Sequence, residues 1–262
     1  MGVWYGCAYT RAHMISALAL AVIPALVLPW ALLPLRNPIL FAILPVLPLA
    51  WVYRRAIAEG AASRAVLLAA AWAVALSVST IAATAVSSDA GLRGVWRGAA
   101  FRDEMVRWIA TGAGAEGNIR LFLPRVLTEY VLVLALSAVS MGAAALFLGG
   151  LLLGYMNVYV GWVVANVDPT TFPASAALVA WPPWSVSRVL SFILAGTAGA
   201  LWGYPRLYAR GSVRAPVRRL LVGSVALLCL DIFLKWWLAP IWRDWLRALL
   251  GASAGLDAGG SV

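Results

Sequence analysis

Two charged residues interrupt an otherwise apolar run near the end of the chain: Asp231 and Lys235, within residues 220–238. Four apart on a helix, they share one face with the acid N-terminal, the favourable order for an ion pair. An ionisable group inside a membrane span costs on the order of 2.5–3.5 kcal/mol on insertion scales, so it turns towards protein or water. The pair therefore reads first as a structural salt bridge, with Lys235 snorkelling to the outer interface. Its second reading is a proton or ion site built on Asp231, which the count of residues puts near mid-membrane. Arg125 and Glu129 repeat the spacing and read as a salt bridge at a helix end. Asn157 and Asn166 stand in apolar sequence and need partners, which neighbouring helices can supply.

Other chemistries find little support. His13 is the only histidine, so the two-histidine H-E-x-x-H zinc motif and bis-histidine haem ligation from this chain alone are excluded. Cys7 and Cys229 are too few for a disulfide framework. The segment Gly251-Ala252-Ser253-Ala254-Gly255 matches G-x-S-x-G in letters, but a nucleophile elbow needs a strand before it, a helix after it and a histidine partner. The tail 251–262 is small and polar and reads as disordered. No catalytic residue, metal ligand or cofactor site is assigned, and the chain reads as a non-enzyme.

The elements that must position these residues follow from composition. Hydrophobic residues make up 63% and charged residues 11%, and the mean hydropathy is +0.89. Such a chain is not an ordinary soluble domain. Within lipid the backbone must satisfy its own hydrogen bonds, and apolar segments without period-2 alternation make the helical solution the natural one. About seven spans are expected, at 12–35, 39–53, 65–86, 126–148, 150–167, 189–204 and 220–238. The fourth and fifth come from one stretch, 126–167, whose only charged residue is Glu129; their joint is expected near Gly149-Gly150. Prolines at 24, 29, 34, 45 and 48 should kink the first two spans, and the second could be re-entrant. Gly150, Gly154 and Gly161 on the fifth span, and Gly196, Gly199 and Gly203 on the sixth, form small-residue faces suited to close helix packing.

The net charge of +10 sits in clusters between apolar spans, which is a topology signal rather than a nucleic-acid groove. The loops 54–64 and 205–219 are basic, the latter with five arginines and no acid. The positive-inside rule puts both in the cytoplasm, the N-terminus with them, across a prokaryotic inner membrane. The opposite loop, 87–125, contains an amphipathic helix at 95–109. Its apolar face carries Val95, Ala99, Phe101, Met105, Val106, Trp108 and Ile109, with Arg102 as an intruder. The expectation is a helix lying in the membrane interface, with a partner-docking helix as the alternative. A second interfacial helix is expected at 239–250, anchored by Trp242 and Trp245, and the loop tryptophans Trp181 and Trp184 read as an interfacial belt.

Residues 118–204 resemble the stage II sporulation protein M family of integral membrane proteins. The likeness is carried by Asn118-Ile119-Arg120 before a span, by Leu148 to Gly154 (LGGLLLG) at a hairpin, and by Pro182-Pro183-Trp184 before an Ala/Gly-rich span. Gly149, Pro183, Trp184 and Ser187 replace that family's Asn, His, Gly and Glu, so the resemblance implies architecture alone: a non-catalytic membrane component working beside other proteins. The expected protein is an all-α polytopic membrane bundle, a subunit or scaffold of a larger complex. Its expected partners are lipids and other membrane subunits, with no nucleic acid. The alternative is a transporter or permease component using Asp231.

Overall fold

The computed structural model describes residues 2–167, 171–204 and 213–251, with side chains from residue 12 onward. The expected disordered tail, beyond Gly251, lies outside the described residues. Every regular element described is helical: α1 Gly2–Leu32, α2 Pro38–Ile43, α3 Val46–Ala58, α4 Ala62–Val86, α5 Ser88–Gly94, α6 Gly98–Thr111, α7 Ile119–Ser140, α8 Ala143–Asn166, α9 Pro173–Ala180, α10 Pro183–Trp202 and α11 Arg214–Gly251. Six segments are long and apolar enough to cross a membrane: Ala12–Leu35, Pro38–Ala58, Ala62–Val86, Ile119–Ser140, Ala143–Asn166 and Pro183–Trp202. The seventh segment read as a span, 220–238, lies inside α11.

Local chemistry sets the boundaries. After α1, Arg36 takes a left-handed φ of 52° and Asn37 caps α2, its side-chain oxygen accepting the N–H groups of Ile39 and Leu40 at 3.1 Å. Pro38 then occupies a helix start, where a missing N–H costs nothing. Around Pro45 the second segment breaks into α2 and α3, and the Trp72 indole N–H donates to the Pro45 carbonyl at 2.9 Å. Even broken, its 21 residues reach about 31 Å as helix, enough for a full crossing.

The α7–α8 joint lies at Met141-Gly142, not at Gly149-Gly150. Both joint residues are left-handed, at φ 53° and 89°, and the Gly142 N–H closes on the Ser137 carbonyl at 2.9 Å. This is the glycine-terminated helix end that satisfies orphan carbonyls; a side chain on Gly142 would also strike the Tyr53 ring. Gly149 and Gly150 are mid-helix in α8, and so is the whole Leu148–Gly154 stretch on which the family resemblance puts a hairpin.

α4 packs between α1 and α8, and α10 packs between α7 and α11, with α7 and α8 joining the two groups. Close approach at these seams needs small residues. A Cβ on Gly161 would lie 2.6 Å from the Ile81 carbonyl oxygen of α4. One on Gly199 would lie 2.5 Å from the Leu134 carbonyl oxygen of α7, and one on Gly203 would overlap the Ala138 carbonyl. A Cβ on Gly150 would lie 3.1 Å from Val46 and 3.5 Å from Trp72, and one on Gly154 3.1 Å from both Phe41 and Val95, while Gly196 has looser neighbours, Val133 at 3.6 Å among them.

Two sequence expectations change at the end of the bundle away from the α7–α8 joint. α6 does not spend its apolar face on a membrane interface. Phe101, Met105, Trp108 and Ile109 are buried in the protein's own core, where Phe101 packs on the rings of Tyr155 and Tyr159 of α8. The intruding Arg102 lies over the Trp162 ring at 5.4 Å, a cation–π contact that suits a guanidinium on an apolar face. Residues 239–250 are not a separate helix either: α11 runs unbroken through Pro240 for 38 residues, about 57 Å long. Leu246 and Leu250 are buried, and the Trp242 indole N–H donates to the Val179 carbonyl of α9 at 2.7 Å.

Gly161→Ala should lower the thermal midpoint in detergent, at a cost of about 1–3 kcal/mol for overpacking. Gly149→Ala, whose Cβ meets nothing within 4 Å, should leave the midpoint unchanged or slightly raised.

Candidate functional site

The end of the bundle covered by α6, α9 and the 3-10 turn Ala115–Gly117 encloses a network of charges. α11 supplies Asp231 and Lys235, fully buried at 0% and 2% exposure. They do not pair with each other. Arg188, near the start of α10, grips Asp231 with two hydrogen bonds, from Nε and from a terminal nitrogen, each 3.0 Å. This fork-to-fork geometry is the strong form of the pair. Lys235 does not snorkel: its Nζ donates to Glu116 of the 3-10 turn at 2.9 Å and lies 4.5 Å from the centre of the Phe122 ring. The same helix face thus reaches a neighbouring helix with one charge and a loop with the other.

Burial alone would push the Glu116 carboxyl up. The Lys235 ammonium and the Arg188 guanidinium outweigh it, helped by hydrogen bonds from Lys235 and Trp184, and hold the carboxyl below its ordinary value. Trp184 is itself buried and meets Trp242 edge-on at 6.1 Å. It is therefore a wall of this site rather than part of an exposed belt.

A second charge group adjoins the first. Arg125 donates to Glu129 at 3.1 Å, one turn along α7, and to the Tyr155 hydroxyl of α8 at 3.3 Å; Glu104 of α6 lies 3.8 Å away. Asn157 donates to Ser77 of α4 at 3.0 Å, a bond across helices, whereas Asn166 turns back to the Trp162 carbonyl of its own helix.

The charges line a cavity of about 30 Å³, walled by Glu116, Arg125, Glu129, Arg188 and Lys235 with Tyr155, Tyr159 and Trp181. Asp231 is behind Arg188, off the wall. A further cavity, of about 80 Å³ and mostly apolar, runs between α4, α7, α8 and α10 towards Gly142 and Tyr53; both cavities touch Glu129, Tyr155, Met156 and Arg188. One water needs roughly 10–15 Å³ by this measure, so each cavity has room for water, and the two adjoin at those four side chains to make up the chamber. Among the described residues, no three His, Cys, Asp or Glu side chains gather as a metal set.

Of the residues singled out from sequence, Asp231, Lys235, Arg125 and Glu129 come together around this chamber, Asn157 is against α4, and the six glycines lie at helix seams. Sequence reasoning missed Arg188 and Glu116. Arg188 left a signal: it is the only charge in α10, and a lone cation in an apolar helix needs an acid on a neighbouring one. Glu116, in a short Gly-rich loop, left none. Compared with protein-family profiles, curated proteins and solved structures, the chain matches none.

Asp231→Asn should cost about 3–5 kcal/mol, because it strands a buried guanidinium, and adding Arg188→Leu should recover most of that loss; a double-mutant cycle of thermal melts measures it. For Glu116 the sign follows from its depressed pKa. Its stabilisation is complete above the ordinary carboxylate range and is lost as pH falls through the folded value. The gap in stability between wild type and Glu116→Gln should therefore be widest at neutral pH and close on acidification.

Proposed function

We propose that this protein is a multi-pass membrane permease or transport component, whose working site is the charge-lined chamber between α7, α8, α10 and α11. The observation that supports this reading is the chamber itself. A cavity walled by three cations and two carboxylates adjoins an apolar cavity that continues towards the opposite end of the bundle. Ionisable groups at membrane depth that face an internal cavity are the usual mark of a solute or ion path. The carboxylates facing that path are Glu116 and Glu129, and Asp231 acts through Arg188, which it holds in place.

In this reading α11 is the seventh span and 220–238 its membrane part. The N-terminus is cytoplasmic, the chamber's charged end faces outward, and the membrane is the inner one. Seven crossings put the two chain ends on opposite sides, whereas six put them on the same side. Reporter fusions at each end should therefore give opposite topologies. For the path itself, single cysteines at Ser185 and Ser137, in a background lacking Cys7 and Cys229, should each react with a membrane-impermeant thiol reagent from one side only, and from opposite sides. Failure of both to react would remove the path and with it the permease reading.

The reading as a non-catalytic subunit or scaffold of a larger complex, of the kind the stage II sporulation protein M resemblance implies, draws support from a different feature. α1 and α7 are the least buried of the six candidate spans, which leaves wide apolar faces for other subunits or for lipid. The two small-residue faces, by contrast, are taken up inside the chain at the α4–α8 and α7–α10 seams. A mild-detergent pull-down separates the two. The permease reading expects a monodisperse chain stable alone, and stoichiometric partner polypeptides would favour the subunit.

A further inference from the structure

Two buried donors of the chamber have no acceptor within the protein. Among the described side chains, the Tyr159 hydroxyl and the Trp181 indole nitrogen are buried without a hydrogen-bond partner. Both line the charged cavity, and Tyr159 is only 2% exposed. A buried polar group left unmade is costly, and two facing one cavity point to a ligand that accepts hydrogen bonds there. The cations on the wall are already matched: Asp231 holds Arg188, Glu116 holds Lys235, and Glu129 with Glu104 surrounds Arg125. The chamber therefore calls for an acceptor oxygen and not for a free inorganic anion.

The adjoining cavity says what else the ligand carries. Away from Glu129 and Arg188 its wall is mostly apolar, with Leu152, Leu153, Phe192 and Ile193. Gly149, partly exposed, stands in open space, with nothing within 4 Å of the place a Cβ would occupy. Gly149 also lines this cavity, so the absent side chain leaves its wall low at that point.

We infer that the chamber binds a single-chain lipid. Its head presents a carbonyl-type oxygen to Tyr159 and Trp181, and its hydrocarbon chain lies in the apolar cavity and exits past Gly149. The inference rests on the chamber being a ligand site and names the class of ligand. The tail is recognised by shape and burial, the head by two donors buried within the protein, where a hydrogen bond is worth more than in water.

The probe is methyl laurate, added to the delipidated full-length protein and followed by thermal shift and native mass spectrometry. Laurylammonium and dodecane serve as controls, since they carry the same chain without an acceptor. Methyl laurate should raise the thermal midpoint and appear as a single adduct, and the controls should do neither. Tyr159→Phe, which removes a hydroxyl that is unpaired without ligand, should leave the lipid-free protein as stable or more so, yet weaken binding about tenfold, the loss expected for one hydrogen bond. Gly149→Phe should close the exit and abolish binding. Equal stabilisation by laurylammonium or dodecane would overturn the proposal, as would undiminished binding to Tyr159→Phe. Methyl laurate binding without cysteine access from the two sides would keep this site and remove the permease; cysteine access without lipid binding would do the reverse.

Discussion

A guanidinium, an ammonium and two carboxylates cannot be withdrawn from water singly, and the arrangement of this protein follows from that constraint. Asp231 and Lys235 sit on the inward face of α11, each at a depth where an unmatched charge would cost several kcal/mol. Matching them requires α10 to pass at the height that brings Arg188 to Asp231. It also requires the turn at Ala115–Gly117 to fold back until Glu116 meets Lys235. One pair fixes the register of two long helices, and the other ties the end of the 32-residue connection between α4 and α7 to the bundle. Because Trp184, Phe122 and Trp242 fill the space around these pairs, the charges and their packing are specified together.

The remaining helices are held by a different device. Lipid offers no hydrophobic drive between spans, so contact area and close backbone approach must supply the attraction. The α4–α8 seam obtains it at Gly161, the α7–α10 seam at Gly199 and Gly203. The charged face of α11 and the glycine faces of α8 and α10 are thus complementary: one gives specificity of register, the others give proximity.

How much of this was legible in the sequence depended on the range of the interaction that decided each feature. The helical class and six of the spanning segments follow from hydropathy, a local property, and the small-residue faces from spacing alone. The α7–α8 joint was misplaced by some eight residues because two features looked alike in sequence. Gly149-Gly150 is a pair of small residues inside a helix, whereas Met141-Gly142 is a left-handed turn, and hydropathy does not distinguish them. The amphipathic stretch at 95–109 showed its apolar face plainly but not what would cover it, since Tyr155 and Tyr159 lie some fifty residues on. The site divided in the same way. Arg125–Glu129 is a one-turn pair and could be read directly. Asp231 and Lys235 were conspicuous by their setting, yet they found partners across 43 and 119 residues, and no spacing rule reaches that far.

The unbroken length of α11 has a mechanical consequence. It begins at Arg214, beside the basic connection after α10, and ends beneath α6 and α9 on the far side of the bundle, with the Arg188–Asp231 clamp between. A stiff rod held near its middle is a lever. Its two ends are thereby coupled through the clamp, the basic start of the helix on one side and the helices that roof the chamber on the other.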